Sequence, residues 1–137
     1  MTRPAPSPAA AGRADRVQNL RLALAAARTA ADNRGRNILV LDLRNLTDLF
    51  DYFVIVTGTS RRQLRAMSEE IDHALEDSLG ERRLGIDGFA ESRWIVLDYG
   101  TVVIHLFDEE TRRYYDLENL WAEAPRVELP QALAGTR

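Results

Sequence analysis

The stretch "DYFVIVTGTSRRQL", Asp51 to Leu64, decides the architecture. Its first part, "DYFVIVTG", is an apolar run rich in β-branched and aromatic residues, which predicts a strand. Its second part predicts the start of a helix. Ser60 is a good N-cap and Gln63 follows three residues on, the pattern of a capping box. From there Leu64, Met67, Ile71, Leu75 and Ser78 form a stripe at helical spacing, and Gly80 supplies a stop. A strand running directly into an amphipathic helix points to an α/β fold.

Working toward the N-terminus, "ILVLDL" (38–43) is a continuous apolar run, which suits a strand buried on both faces. "RNLTDLF" links it to the strand above. Residues 14–31 predict an earlier helix with Val17, Leu20, Leu24, Ala27 and Ala31 on its inner stripe. "DNRGRN" (32–37) ends it, with Asn33 and Gly35 as candidates for a left-handed cap. Toward the C-terminus, "RRLGIDGF" (82–89) is a short strand or loop. "WIVLDYGTVVIHLF" (94–107) is a hairpin. "DEETRRYYDLENLW" (108–121) gives one or two short helical turns anchored by Leu117, Leu120 and Trp121. The order is α β β α (β) β β α, a mixed sheet of about five strands flanked by helices.

If Tyr99 and Gly100 form a two-residue turn, Asp98 pairs with Thr101 and Trp94 with His105. Alternation then divides the hairpin. Ile95, Leu97, Val102, Ile104 and Leu106 face the core. Trp94, Val96, Asp98, Thr101, Val103 and His105 face the other way. That second face is apolar enough to bind a partner and polar enough to be exposed, as at interface hot spots. It could equally be covered by a helix, with His105 a satisfied core residue.

The 137 residues fit one domain. Residues 1–12, "MTRPAPSPAAAG", carry too little apolar surface to order and are expected to be a disordered tail. Residues 13–127 are the expected domain, and 128–137 a loose tail. There is no cysteine, which excludes disulfides, thiol catalysis and cysteine-based zinc sites. The N-terminus lacks the apolar core of a secretory signal, and no run approaches the ~20 apolar residues of a membrane span. A soluble, cytoplasmic protein with no membrane partner is expected. The net charge is −3, from 18 basic and 21 acidic residues, and every basic residue is arginine. That balance gives no sign of a nucleic acid as main partner, so no direct nucleic-acid readout is expected.

Catalytic chemistry finds little to work with. "TGTS" could cradle a phosphate beside Arg61 and Arg62, but it also describes an ordinary strand–helix joint. A nucleotidyl-transfer enzyme would need paired strand carboxylates to hold two metals. Asp108 and Glu110 have the spacing but lie where the strand ends; Asp48 and Asp51 do not have it. His73 lies off the helix stripe, and His73 and His105 lack further ligands nearby. No catalytic residue, cofactor or metal site is expected.

Three blocks carry a resemblance: "LDLRNLTDLFDYFVIVTGTSRRQLRAM" (41–67), "GIDGFAESRWIVLDYGTVVIHLF" (85–107) and "RRYYDLENLWAEAPRV" (112–127). In this order they resemble the ribosomal silencing factor, or Iojap-like, family. The resemblance implies a fold like a nucleotidyltransferase core without its catalytic carboxylates. It implies binding to the large ribosomal subunit through the universal ribosomal protein L-fourteen, which blocks small-subunit joining and lowers translation when nutrients are short. It also implies that the docking surface includes Trp94 and Tyr99, the latter a position where some members carry an aliphatic residue. Asp98, Gly100 and His105 match the motif around them. The alternative is a nucleotidyltransferase-like enzyme or nucleotide-binding protein using the TGTS turn. An exposed apolar face could also pair with a second copy as a homodimer when the ribosome is absent.

Overall fold

The computed structural model describes the backbone of residues 8–130 and the side chains of residues 17–130. The expected tails fall outside this range at residues 1–7 and 131–137. The elements are α1 (Pro8–Asp32), β1 (Arg36–Asp42), β2 (Tyr52–Gly58), α2 (Arg61–Leu79), β3 (Gly85–Asp87), β4 (Trp94–Asp98), β5 (Val102–Asp108), α3 (Glu109–Tyr115) and α4 (Leu117–Leu120). The helix α1 thus begins inside the stretch expected to be a disordered tail.

The five strands form one sheet in the order β1-β2-β5-β4-β3. Only β2 and β5 run parallel; the other neighbours are antiparallel. The strand β2, beside the central strand β5, is buried along its whole length. Alternation sends Tyr52, Val54 and Val56 into one core and Phe53 and Ile55 into another.

The larger core lies under α1 and α2. From α2 it takes Leu64, Met67, Ile71 and Leu75. Ser78, expected to extend this stripe, is exposed. From α1 it takes Leu22, Ala23, Ala26, Ala27 and Ala30, whereas Val17 is 55% exposed. The buried face is therefore turned from the leucine-centred stripe toward alanines. Small side chains let the helix lie close to the sheet. That closeness continues at Gly35, where an added Cβ would sit 2.7 Å from Val56 Cγ1. The left-handed residue after α1 is Arg34, with φ 65°, rather than Asn33 or Gly35.

The start of α2 is capped as its sequence implies. Ser60 Oγ accepts from the Gln63 amide at 3.0 Å. Gln63 reaches back to the Thr59 N–H, one residue beyond the usual box, and to its hydroxyl. The Gln63 side-chain amide also donates to the Asn33 and Arg34 carbonyls. One side chain thereby joins the end of α1 to the start of α2. Gly80 closes α2 in the left-handed conformation.

The smaller core lies on the opposite face. Leu41, Leu43, Phe53, Ile55, Val103 and Phe107 meet Leu117 and Ala124 there. Of the expected anchors, Leu117 is buried and Trp121 partly so, but Leu120 is 76% exposed. Arg112 fixes this layer. Its Nη1 donates to Thr57 Oγ1 and the Asn37 carbonyl at 2.8 and 2.7 Å, and its Nε–Nη2 edge meets both oxygens of the Glu118 carboxylate. Chain beyond α4 is also held. Arg126 bridges to Leu41, and the Asp42 and Val127 amides donate to the Pro125 and Val40 carbonyls. Pro125 therefore begins an edge-pairing segment before any loose tail.

The hairpin register differs from the expected one. Asp98 pairs with Val103 and Trp94 with Phe107, leaving residues 99–101 between the two strands. Tyrosine is poorly suited to the positive φ of a primed two-residue turn. Only Gly100 takes it, at 92°. The Tyr99 amide instead donates to the Val102 carbonyl at 3.0 Å. Thr101 is drawn away toward α1, its hydroxyl accepting from Asn19 Nδ2 at 2.7 Å. Because the shift is even, the side chains of the paired strand residues stay on their expected faces, whereas Thr101, now in the loop, leaves the Trp94 face for the side of α1.

His105 is 6% exposed, in the smaller core. Its Nδ1 accepts from Trp94 Nε1 at 3.1 Å. The neutral ring therefore carries its proton on Nε2, which is buried without a partner among the described residues. Burial drives the His105 pKa down from 6.5 to about 3. In the unfolded chain the imidazole protonates near its ordinary pKa of about 6.5. The stability conferred by the neutral buried ring is thus fully present above about pH 6.5 and is lost as pH falls toward about 3.

Two outcomes are expected. Ser60→Ala lowers unfolding stability by about 0.5–2 kcal/mol through loss of the cap, read by denaturant titration. Between about pH 6 and pH 5, stability falls by up to ~1.4 kcal/mol per pH unit from His105 alone. His105→Phe removes that component, and an equally steep profile in the variant would contradict the assignment.

Candidate docking surface

The hairpin face carrying Trp94 is covered only in part. The helices α3 and α4 and the loop before β2 shield Val103, His105 and Phe107, while Trp94 and Val96 remain half-buried at the margin. Trp94 stacks on Phe107 at 4.8 Å between ring centroids and meets Tyr115 at the same distance. His105 packs edge-on against Phe53 at 4.6 Å. The indole is thus held by a hydrogen bond on one edge and rings on two sides. Tyr114 and Tyr115 extend from it into solvent, 81% and 51% exposed.

A cleft of about 430 Å³ opens beside Trp94, walled by Tyr114, Tyr115, Glu91, Arg93 and Glu110. Its floor passes Gly88, whose φ is 77° and where any Cβ would overlap the Trp94 carbonyl oxygen. Glycine is required there on both counts.

The five residues expected to dock do not lie together. Trp94 and Asp98 are on the outer face, and Asp98 is exposed, its carboxylate accepting from the Gly100 amide at 2.8 Å. His105 is on the same face but under the rings, where it orients Trp94. Tyr99 is on the opposite side. It is 8% exposed in the larger core, and its hydroxyl donates to the Asp72 carboxylate on α2. Arg83 pairs with the same carboxylate. Burial and that hydrogen bond push the Tyr99 hydroxyl pKa up. Tyr99 therefore fixes the hairpin to α2, on the face of the sheet opposite Trp94. Sequence reasoning missed Tyr115. It stands in the quoted "RRYYDLENLW" block, where only Leu117, Leu120 and Trp121 are expected as anchors.

The remaining candidate chemistry is otherwise engaged. The "TGTS" donors serve the α2 cap. Asp108 caps α3, accepting from the Thr111 amide at 2.7 Å. His73 is exposed and pairs with Asp77. Among the described residues no group of three or more His, Cys, Asp or Glu could hold a metal ion. Among them also, no helix is long and apolar enough to cross a membrane.

Comparison with known proteins fits this arrangement. The family model described as ribosomal silencing factor during starvation, RsfS, matches residues 16–137. Ribosomal silencing factor RsfS of Bacillus subtilis is 40% identical over 105 residues, covering 76% of this chain and 87% of its own length. The chloroplastic protein Iojap of Arabidopsis thaliana is 33% identical over 116 residues, covering 85% of this chain and 48% of its own. A crystal structure of a protein from Chromobacterium violaceum superposes with a TM-score of 0.72 at 32% identity, over 75% of this chain and 85% of that one. The sheet order, the hairpin block and these matches agree: the chain belongs to the ribosomal silencing factor (RsfS) family.

Proposed function

We propose that this protein, acting in the cytoplasm, docks through the Trp94 face onto the universal ribosomal protein L-fourteen of the large subunit and blocks small-subunit joining by its bulk. Translation then falls under nutrient limitation. Family membership supports a ribosome-associated silencing role. The observation that supports the docking face is the immobilised Trp94. An aromatic anchor already fixed by His105, Phe107 and Tyr115 loses little freedom on binding, which favours affinity. Asp98 contributes a charged rim. Gly100 shapes the turn, His105 orients the indole, and Tyr99 braces the hairpin from behind.

The mechanism requires no bond to be made or broken. A 15.5 kDa body occupying the subunit interface excludes the other subunit while it is bound. Occupancy depends on competition for free large subunits, so concentration and affinity set the degree of silencing. When no subunit is present, the same half-apolar face offers a second copy a surface for a homodimer.

Co-sedimentation with purified subunits tests the reading. The protein is expected with large subunits and absent from small ones; equal binding to both would overturn it. Trp94→Ala is expected to weaken large-subunit binding by ~2 kcal/mol or more, roughly thirtyfold. Ile95 is fully buried on the other face. Ile95→Ala should instead lower folding stability by about 2–5 kcal/mol. A folded Trp94→Ala protein that still binds at full strength would remove the docking face from consideration.

A further inference from the structure

The arginines that look scattered in the sequence do not stay scattered in the fold. Arg34 follows α1, Arg36 opens β1 opposite Thr57, and Arg61 and Arg62 open α2. Arg65 lies one turn further along. The Gln63 amide, bonded to the Asn33 and Arg34 carbonyls at 3.1 and 3.2 Å, brings these segments edge to edge. All five arginines are exposed.

Their lack of a carboxylate partner, shared among the described residues with Arg21, Arg28, Arg93 and Arg126, separates them from the remaining arginines. Arg44, Arg82, Arg83, Arg112 and Arg113 each meet a carboxylate. Among the described residues, none of the five does. Asp32 and Glu69 stand at the margins of the patch and are likewise not paired to it. A chain of net charge −3 thus gathers unneutralised guanidinium groups along one edge. That edge lies at the end of the sheet where Gly58 pairs with Asp108 and Trp94 with Phe107. It shares that end of the sheet with Trp94, with β2 and β5 lying between Arg36 and Trp94.

We propose that the edge formed by Arg34, Arg36, Arg61, Arg62 and Arg65 contacts the phosphate backbone of structured RNA. Guanidinium forks match phosphate oxygens with paired hydrogen bonds. Neither "DNRGRN" (32–37) nor "TSRRQLRA" (59–66) holds an aromatic residue on which a base could stack. The contact is with the backbone and carries no sequence readout. It adds an RNA contact to the protein docking above and does not depend on it.

The test uses the full chain and a labelled RNA duplex of two helical turns. Each phosphate neutralised contributes about −0.9 to the slope of log affinity against log salt. The variant carrying Arg34→Gln, Arg36→Gln, Arg61→Gln and Arg62→Gln is expected to bind at least about tenfold more weakly at low salt, with the slope reduced by about three. Trp94→Ala should keep duplex binding while losing large-subunit binding, so the two readings fail separately. If the fourfold variant melts early, the doubles Arg34→Gln/Arg36→Gln and Arg61→Gln/Arg62→Gln should each remove about half of the slope change. The proposal is overturned if wild type does not bind the duplex, or if the folded variants keep the wild-type affinity and slope. Polyglutamate binding as tight as the duplex would also overturn it, by assigning the edge to an acidic protein.

Discussion

The parallel pairing of β2 with β5 is the constraint around which the molecule is organised. Seven residues from Tyr52 to Gly58 pair in register with Val102 to Asp108. Both strands are buried on both faces almost throughout. A central pair of this kind has no solvent side, so the chain must supply two covers. Two long helices cover one face completely. The other has only α3, α4 and the chain around them, whose shortness leaves part of that face open. The candidate docking surface is this incompletely covered part.

That open margin is nevertheless rigid. Trp94 stands at its edge, with Tyr115 packed against it toward solvent, and it is tied inward through His105 to Phe53 on β2. The imidazole leaves its Nε2 without a partner, a cost in stability of about 1–3 kcal/mol. In return its Nδ1 gives the indole N–H an acceptor inside an otherwise apolar layer. Tyr99 does the corresponding work behind the sheet, tying the loop to Asp72 on α2. The hairpin is thus held from both faces, and the indole it presents is fixed from within.

The sequence made the element order, the two faces of the hairpin and the α2 cap legible, because each rests on a local rule. Alternation assigned Ile95 and Trp94 to opposite faces even though the register was wrong, since an even slip preserves parity. What was not legible depended on distant chain. The α1 face follows the closeness that its alanines allow, a property of the sheet beneath as much as of the helix. Tyr99 was expected on the docking surface only through the family resemblance. Only Asp72, 27 residues earlier, shows why it points the other way. Leu120 looked like an anchor because it is apolar, but α4 is one turn long and Leu117 takes the inward position. The arginine edge was hidden because its members come from two segments that meet only through Gln63.

The strand β1 is the outermost on its side of the sheet, and its outer edge is partly occupied by chain beyond α4. Through Pro125, Arg126 and Val127, that segment takes up backbone groups of β1 that would otherwise face another molecule. An open strand edge is a template for edge-to-edge association. The residues after α4 are therefore a guard against aggregation as well as a link to the C-terminus. An expression boundary or fusion joint set at Ala124 would keep every fully buried residue, remove only Val127 and Leu129 from the margin of the larger core, and still yield a protein prone to polymerise through β1.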